Sequence, residues 1–339
     1  MFSRDVLNID CAQTIEVIVA SIRRIVLDDL QRQGAVVGLS GGVDSSVVAT
    51  LCARALGRER VLGLLMPEHE SSEDSIRLGR LLVEQLGIRS KLVNLGPVLE
   101  VMGCYRYRDE AIRRVFPDFG VGWKCKLVLP PVAEGVRFNV FSIVVESSGG
   151  GVASARLPLD AYLQVVAASN MKERIRKLTE YFHAEMLGYA VAGTLNRLEY
   201  DQGSFAKYGN FLADFQPIVH LYMSQVRALA VGLGVPEEIR QLSPAMGAYS
   251  TPETPEESYF TVPYDKMDLC LWAYNHGVPA EDVAPLIDLT PAQVARVYRD
   301  IESKRQAKRF LHIPPIMMEP VCEVPLGEGS RGEGCPAGA

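Results

Sequence analysis

Short apolar runs of strand length alternate with amphipathic stretches of helix length in the first hundred residues. The runs "AVVGL", "RVLGLLMP" and "SKLVNLG" predict three strands, and helical periodicity predicts helices over 14–31, 44–56 and 73–86. Strands that alternate with helices form βαβ units, in which the strands pair in parallel and the helices cover both faces of the sheet. The sequence therefore predicts an α/β fold with a doubly wound parallel sheet.

This alternation is interrupted between residues 104 and 160. The stretches "WKCKLVLPP" and "RFNVFSIVVESSGGG" are typical of a hairpin or small sheet, so we expect an inserted β-rich segment there. The sequence then predicts a helix over 160–186, a strand at "YAVAGT" and a loop from Asn196 to Pro217. Further helices are predicted near 220–233, 264–275, 280–287 and 290–308.

The end of the chain differs in composition from the rest. The stretch "GEGSRGEGCPAGA" is rich in glycine and charge and lacks the apolar residues of a core. We therefore expect one domain over residues 1–313, with the insertion at 104–160, and a flexible tail over 314–339.

Composition excludes several classes of protein. The 339 residues carry a net charge of -6, which argues against a nucleic acid as partner. No apolar run approaches the ~18 residues of a membrane span, so we expect no membrane partner. The seven cysteines form no C-x-x-C pair and are too sparse for a disulfide scaffold, which favours free thiols and a cytoplasmic location.

The segment "SGGVDSS", residues 40–46, joins the first predicted strand to the next predicted helix. Gly41 and Gly42 let the backbone approach a ligand closely, and the first helical turn offers unpaired N–H groups to an anion. No lysine follows as in a Walker loop, but Asp44 can hold Mg²⁺ and the hydroxyls of Ser40, Ser45 and Ser46 can donate to phosphate oxygens. A simpler interpretation is a tight turn in which Asp44 or Ser45 caps the helix.

The "SGGVDSS" segment resembles the pyrophosphate-binding loop of the ATP pyrophosphatases. Two other blocks, "SNMKERIRKLTEY" at 169–181 and the stretch over 193–239 that begins "GTLNRLEY", resemble ammonia-dependent NAD synthetases, and "YDKMDLCLWAYNHG" agrees. The resemblance covers about residues 14–310 without the insertion. It implies an ATP-dependent ligase in which the carboxylate of deamido-NAD attacks the α-phosphorus of ATP, and ammonia then displaces AMP to form the amide.

The resemblance also implies roles for particular residues and a homodimer. Asp44 and Glu199 are the implied catalytic pair and Mg²⁺ ligands, and Glu199 follows a strand at the end where open α/β sheets bind ligands. Thr194 matches a position that contacts ATP. The implied contacts with deamido-NAD are made by Asn170, Arg174, Lys207, Asp214 and Lys304.

Several positions depart from the family pattern. A lysine and a threonine that contact ATP phosphates in the family are Met223 and Ala245 here. Ala206 stands in place of a threonine, Asn210 in place of an aspartate and Ser303 in place of a histidine. Loss of a cation beside a transferring phosphoryl group removes transition-state stabilisation of ~2.7–4 kcal/mol per donor in preorganised sites. Lys172 or Arg176 could supply the missing charge.

Other functions stay open at this point. A ligase that amidates another carboxylic acid would keep the same phosphate loop, and a weakened nucleotide-binding protein would account for the lost lysine. Sulfur transfer fits less well, because no cysteine lies in the matching motifs. Since the phosphate loop begins by residue 40, we expect no preceding glutaminase domain, and free ammonia or a separate partner would supply the nitrogen.

Overall fold

The computed structural model of the protein describes residues 2–128, 142–242 and 262–319. Seven strands are present in these residues: β1 (Ala35–Gly38), β2 (Val61–Leu65), β3 (Arg89–Leu92), β4 (Lys124–Val128), β5 (Ser142–Glu146), β6 (Val152–Arg156) and β7 (Ala190–Ala192). Strands β3, β2, β1 and β7 pair in that order, all in parallel, to form the main sheet. The predicted α/β fold with a parallel sheet is confirmed.

The described residues form twelve α-helices. They are α1 (Cys11–Arg23), α2 (Val43–Leu56), α3 (Glu73–Leu86), α4 (Gly96–Val101), α5 (Cys104–Arg113), α6 (Leu159–Leu187), α7 (Arg197–Gln202), α8 (Met223–Gly232), α9 (Glu237–Arg240), α10 (Tyr264–Asn275), α11 (Ala280–Val283) and α12 (Pro291–His312). A π-helical turn over Arg24–Asp29 continues α1. None of the described helices is both long and apolar enough to cross a membrane.

Helices cover both faces of the main sheet because alternate side chains of each strand point to opposite sides. In β1, Ala35 and Val37 belong to the large core cluster with α1, α2, α8 and α10. Val36, between them, packs instead in a smaller cluster with Ala184 of α6. The nearly continuous apolar strands of the sequence are therefore explained by burial on two faces.

The interrupting segment folds as a helix followed by a small antiparallel sheet. Strand β5 pairs with β4 and with β6, and this sheet shares its own core cluster with α5 and the start of α6. The β-rich segment thus begins after α5, not at residue 104. The helix could have been found from the sequence, because its buried residues Cys104, Arg108, Ala111 and Ile112 follow helical spacing.

The predicted loop from Asn196 to Pro217 is wrong in its first part, which forms α7. The Asn196 side chain accepts hydrogen bonds from the backbone N–H groups of Leu198 and Glu199, and Glu199 accepts one from the Asn196 N–H. This reciprocal arrangement is a capping box, which satisfies the first N–H groups of a helix. The N-x-x-E spacing was therefore a helix signal. The expected tail beyond residue 319 lies outside the described residues.

Candidate active site

The candidate site lies where the order of the sheet reverses. From β1 the chain runs through α2 to β2 on one side, whereas α6 leads to β7 on the other side of β1. In open α/β sheets such a reversal leaves a crevice at the carboxyl ends of the strands, where ligands bind. The "SGGVDSS" segment follows β1, and the segment from Thr194 to Glu199 follows β7.

The glycine-rich loop requires glycine at its centre. Gly41 has a φ of 80°, and a Cβ atom on this residue would lie 2.6 Å from the carbonyl oxygen of Ser75. Conformation and close approach to α3 thus both exclude a side chain. Gly42 is the N-cap of α2 and provides no side-chain cap, so neither Asp44 nor Ser45 takes that position. The N-cap residue of this 14-residue helix thus supplies no side-chain acceptor to the first N–H groups, which favours an anion site there.

The three serines hold the shape of the loop. Ser45 and Ser46 are buried, and their hydroxyls donate to the carbonyl oxygen of Gly42 over 3.1 and 2.8 Å. Ser40 is exposed, and its Oγ accepts the N–H of Gly42. The role of these hydroxyls as phosphate donors stays a prediction, which Ser40 supports most directly through its exposure.

Asn196 joins the two predicted metal ligands. Its Nδ2 donates to Asp44 Oδ1 over 3.2 Å, and its backbone N–H donates to Glu199 Oε2 over 3.0 Å. The Asn196 side chain is only 1% exposed. Asp44 at the start of α2 and Glu199 in α7 are thereby held on either side of one residue. From the sequence, Asn196 is predicted only as the start of a loop, with no part in the site.

Both carboxyl groups are poorly solvated. Burial raises the pKa of Asp44 above its usual value, against the lowering effect of the Asn196 amide and of Arg227 in α8. Burial also raises the pKa of Glu199, and the negative charge of Asp44 raises it further. A cation placed between the two groups would relieve both effects.

The donor set fits Mg²⁺ that arrives with phosphate. The described residues include no cluster of three or more histidine, cysteine, aspartate or glutamate side chains arranged to enclose a metal. Mg²⁺ is commonly held by only one or two carboxylates, together with substrate phosphates and water. Asp44 and Glu199, beside an open helix N-terminus, offer this kind of incomplete oxygen site.

Two of the predicted contacts for deamido-NAD lie together. Arg174 in α6 donates from Nε to the carbonyl oxygen of Lys207, and Lys207 Nζ donates to the carbonyls of Phe310 and Ile313 at the end of α12. Thr194 lies two residues beyond β7, and Asn170 is half-buried in α6, one turn before Arg174. The contacts of these residues with nucleotide stay predictions.

The two remaining candidates make protein contacts of their own. Asp214 accepts the backbone N–H of Val191 in β7 and the hydroxyl of Tyr181. Lys304 in α12 pairs with Asp300 over 2.6 Å, and burial lowers the pKa of its amine despite that partner. The role of both residues with substrate also stays a prediction.

The departures from the family pattern affect the core as much as the site. Met223 is 1% exposed, and its Sδ lies 3.8 Å from Asn196 Nδ2. Ala206 is buried and donates its N–H to the Asn210 side chain. Ala245 lies outside the described residues. The position of the missing lysine is thus filled by a packed side chain that contacts Asn196, the residue that hydrogen-bonds to both carboxylates.

The two cations considered as substitutes are engaged by carboxylates. Lys172 is 3% exposed and pairs with Glu68 over 3.2 Å and with Glu70. Arg176 pairs with Glu173. Arg227, by contrast, is exposed and close enough to Asp44 to act on its pKa, after the larger effect of burial.

Comparison with known proteins gives consistent results. The sequence model of the NAD synthase family matches residues 14–115 and 144–311. An NH3-dependent NAD+ synthetase from Mesorhizobium japonicum is 53% identical over 311 residues, which cover 92% of this chain and 98% of that protein. One from Thermotoga maritima is 33% identical over 288 residues, 85% of this chain and 94% of that protein.

Solved structures agree on the fold. The NH3-dependent NAD synthetase of Campylobacter jejuni superposes with a TM-score of 0.59 at 23% identity, covering 92% of this chain and all of that one. The resemblance drawn from the three sequence blocks is confirmed, and the family model leaves out only residues 116–143 within its span. By the match over most of its length and by its identity to these relatives, the chain belongs to the NAD synthase family.

Proposed function

We propose that this protein converts deamido-NAD to NAD with ATP and ammonia. The observation that carries the proposal is the pair of half-buried carboxylates, Asp44 and Glu199, held by one asparagine beside the glycine-led N-terminus of α2. This is the arrangement of charge and N–H donors that suits a metal-bound polyphosphate. Relatives at 53% and 33% identity that carry the name NH3-dependent NAD+ synthetase support it.

The reaction has two steps. The carboxylate of deamido-NAD attacks the α-phosphorus of ATP, the bond to the β-phosphate oxygen breaks, and pyrophosphate leaves. Ammonia then attacks the carbonyl of the resulting acyl-adenylate, loses a proton to form the amide, and AMP leaves. The first step builds negative charge on the departing pyrophosphate, and the second builds it on the carbonyl oxygen and then on the departing AMP phosphate, so the site must stabilise the phosphate oxygens in both steps.

The residues of the glycine-rich loop bind and orient the polyphosphate. The N–H groups at the start of α2 face the phosphates. Gly41 and Gly42 have no side chains that would block the approach of the phosphates to the backbone. Asp44 and Glu199 would hold Mg²⁺, which when bound neutralises phosphate charge and polarises the phosphoryl oxygens. Arg227 adds a mobile positive charge on the same side as Asp44.

The second group of residues would hold the other substrate. Arg174 and Lys207 lie in contact and together offer a guanidinium and an ammonium to an anionic dinucleotide. Glu173, the neighbour of Arg174, is among the charges that raise the pKa of Glu199, after burial and Asp44.

The alternatives left by the sequence are less well supported. Amidation of another acid and a purely nucleotide-binding role both remain chemically compatible with the loop, but the high identity to named NAD synthetases does not favour them. Sulfur transfer would need a reactive thiol. Cys52 and Cys270, both buried in the core, have thiol pKa values raised by burial.

One assay decides between these functions. Purified protein is mixed with ATP, Mg²⁺, ammonium chloride and deamido-NAD, and NAD, AMP and pyrophosphate are measured. We expect the three products in equal amounts and none without deamido-NAD. Release of ADP, or turnover only when another carboxylic acid replaces deamido-NAD, would contradict the proposal.

We also propose that the protein is a homodimer. On α6, the exposed fractions of Leu178, Phe182 and Met186 are 66%, 56% and 66%. Residues four apart lie on one face of a helix, so these side chains form one apolar strip. Exposed apolar patches of this kind mark interaction surfaces, and a second copy would present the same strip.

The cytoplasm is the proposed location. The cysteines among the described residues, Cys11, Cys52, Cys104, Cys125 and Cys270, are all free thiols. Free thiols persist in a reducing compartment, which is also where ATP is made available to biosynthetic ligases.

A further inference from the structure

We propose that Asn196 is the positioning residue that sets the distance between the carboxylates of Asp44 and Glu199 for metal binding. The inference rests on the metal role proposed above for these two side chains. Asn196 itself is not a metal ligand in this proposal, because its side-chain atoms are already engaged by protein partners.

Every polar atom of the Asn196 side chain has a described partner. Oδ1 accepts the N–H groups of Leu198 and Glu199 over 3.0 and 3.1 Å. Nδ2 carries two hydrogens, of which one is directed to Asp44 Oδ1 and the other to Met223 Sδ. A side-chain amide can donate two hydrogen bonds from nitrogen and accept two at oxygen, so its capacity is used in full.

Charge fixes the orientation of this amide. If the amide were flipped so that its oxygen and nitrogen exchanged places, Oδ1 would face the Asp44 carboxylate and the NH₂ group would face the N–H groups of α7. Both contacts would be repulsive, so only one orientation is compatible with the surroundings. The amide therefore acts as a directional link between the N-terminus of α2 and the N-terminus of α7.

The link joins parts of the chain that are far apart in the sequence. Asp44 and Asn196 are 152 residues apart and follow different strands of the sheet. The capping box ties Glu199 to Asn196, and the amide ties Asn196 to Asp44. The two half-buried carboxylates repel each other, and the Nδ2–H group that contacts Asp44 opposes their separation.

Helix capping alone would give a different set of mutant properties, and this makes the role testable. Serine is as good an N-cap as asparagine, but its hydroxyl is too short to cap α7 and reach Asp44 together. Asn196→Ser therefore removes the link and keeps the cap. Thr290→Ala is the matched control, since Thr290 caps α12 through the same kind of capping box at a position outside the site.

The experiment measures Mn²⁺ binding by loss of the free-ion electron paramagnetic resonance signal, with saturating α,β-methylene-ATP present. For Asn196→Ser we expect a dissociation constant for Mn²⁺ that is 10- to 100-fold higher than in the unaltered protein, as is typical when a group supporting a metal ligand is removed. For Thr290→Ala we expect a lower melting temperature and an unchanged dissociation constant. An unchanged constant for Asn196→Ser would overturn the proposal.

A second variant covers the case in which Asn196→Ser does not fold. Asn196→Thr also keeps a hydroxyl that can cap α7 and lacks the Nδ2–H donor to Asp44, so its dissociation constant for Mn²⁺ should rise by a similar 10- to 100-fold. An unchanged constant in this variant would overturn the proposal. Asp44→Asn separates this result from the proposed function: if it leaves Mn²⁺ affinity unchanged, the metal role of Asp44 itself is wrong.

Discussion

Asp44 is a side chain whose position favours activity but lowers the stability of the unliganded protein. It is placed at the start of α2, where burial raises the pKa of its carboxyl group, and it in turn raises the pKa of Glu199 after the effect of burial. Carboxyl groups whose pKa is raised by burial and by a neighbouring charge are typical of functional sites, where a ligand completes the arrangement. The unliganded protein therefore carries a repulsion that metal binding would remove.

We predict that Asp44→Asn separates these two properties. Pyrophosphate release should fall at least about 100-fold, the loss typical of removing one preorganised electrostatic contact. The melting temperature without nucleotide and metal should rise, because a neutral amide no longer repels Glu199 and can still accept from Asn196. Calorimetry and a pyrophosphate assay on the same preparation test both parts, and a lower melting temperature would contradict the second.

Met223 shows a substitution whose effect depends on its neighbours. The side chain is buried at the N-terminus of α8, next to the amide that contacts Asp44. A lysine there would extend toward the two carboxylates, whereas a lysine deeper in the same helix would meet only apolar side chains. An uncompensated buried charge destabilises a protein by on the order of 3–5 kcal/mol.

We predict that Met223→Lys stays folded and that Leu229→Lys does not. Leu229 lies in the same helix and is fully buried in the core cluster, so it is the matched control. Urea unfolding should show the larger loss of stability for Leu229→Lys. In the added background Asp44→Asn, the stability of Met223→Lys should drop. If Asp44→Asn leaves it unchanged, the lysine does not pair with this carboxylate.

Side chains join the helices around the site by accepting N–H groups that have no backbone acceptor at the start of a helix. Asp268 in α10 is completely buried, and its two oxygens accept the N–H groups of Met223 and Ser224 at the start of α8. It thus fixes the helix that carries Met223 and Arg227. Burial raises the pKa of Asp268 to about 6, despite these N–H donors.

This shift predicts a pH-dependent stability. Because the pKa is raised from 3.8 when folded, the folded state favours the protonated acid, and the stability contributed by this group is lost as pH rises through about 6. Asp268→Asn has no such titration, so the unfolding free energy of the unaltered protein minus that of the variant should be smaller at pH 7 than at pH 4.5. Urea titrations at both pH values measure it, and a larger difference at pH 7 would contradict the sign.

The secondary structure around the site could largely be anticipated. Strands β1 to β3 coincide with short apolar runs, helices α1 to α3 with period-3.6 patterns, and the helix predicted over 160–186 with α6. The sequence predictions omit the short helices α4, α5, α7 and α9, whose signals are brief, such as four spaced buried residues in α5 and a capping box in α7. Short helices owe their stability to packing and caps more than to periodicity.

At the scale of the whole molecule, the strip of Leu178, Phe182 and Met186 on α6 is an exposed apolar surface that packing among the described residues does not explain. We predict that Phe182→Glu converts a dimer to a monomer, since a charge in the middle of an apolar contact is costly to bury. Light scattering at micromolar concentration measures the mass. Glu185→Gln, an exposed neighbour on the same helix, is the control and should stay dimeric. A monomeric unaltered protein would contradict the proposed dimer.

The sequence alone determined the α/β class, the parallel sheet and the family. These depend on local periodicity and on contiguous motifs such as "SGGVDSS", in which the residues that act together are adjacent in the chain. It also named Asp44 and Glu199 as a pair, through the resemblance. It did not indicate what holds that pair together.

Only the tertiary structure decided how the pair is supported. The contact between Asp44 and Asn196 joins residues 152 apart, and Met223 reaches the same amide from a third element. Contacts of this kind leave no periodic trace in the sequence, because they arise when β1 and β7 become neighbours in the sheet. The burial that raises the pKa of both carboxyl groups is likewise set by packing of distant helices around the carboxyl ends of those strands.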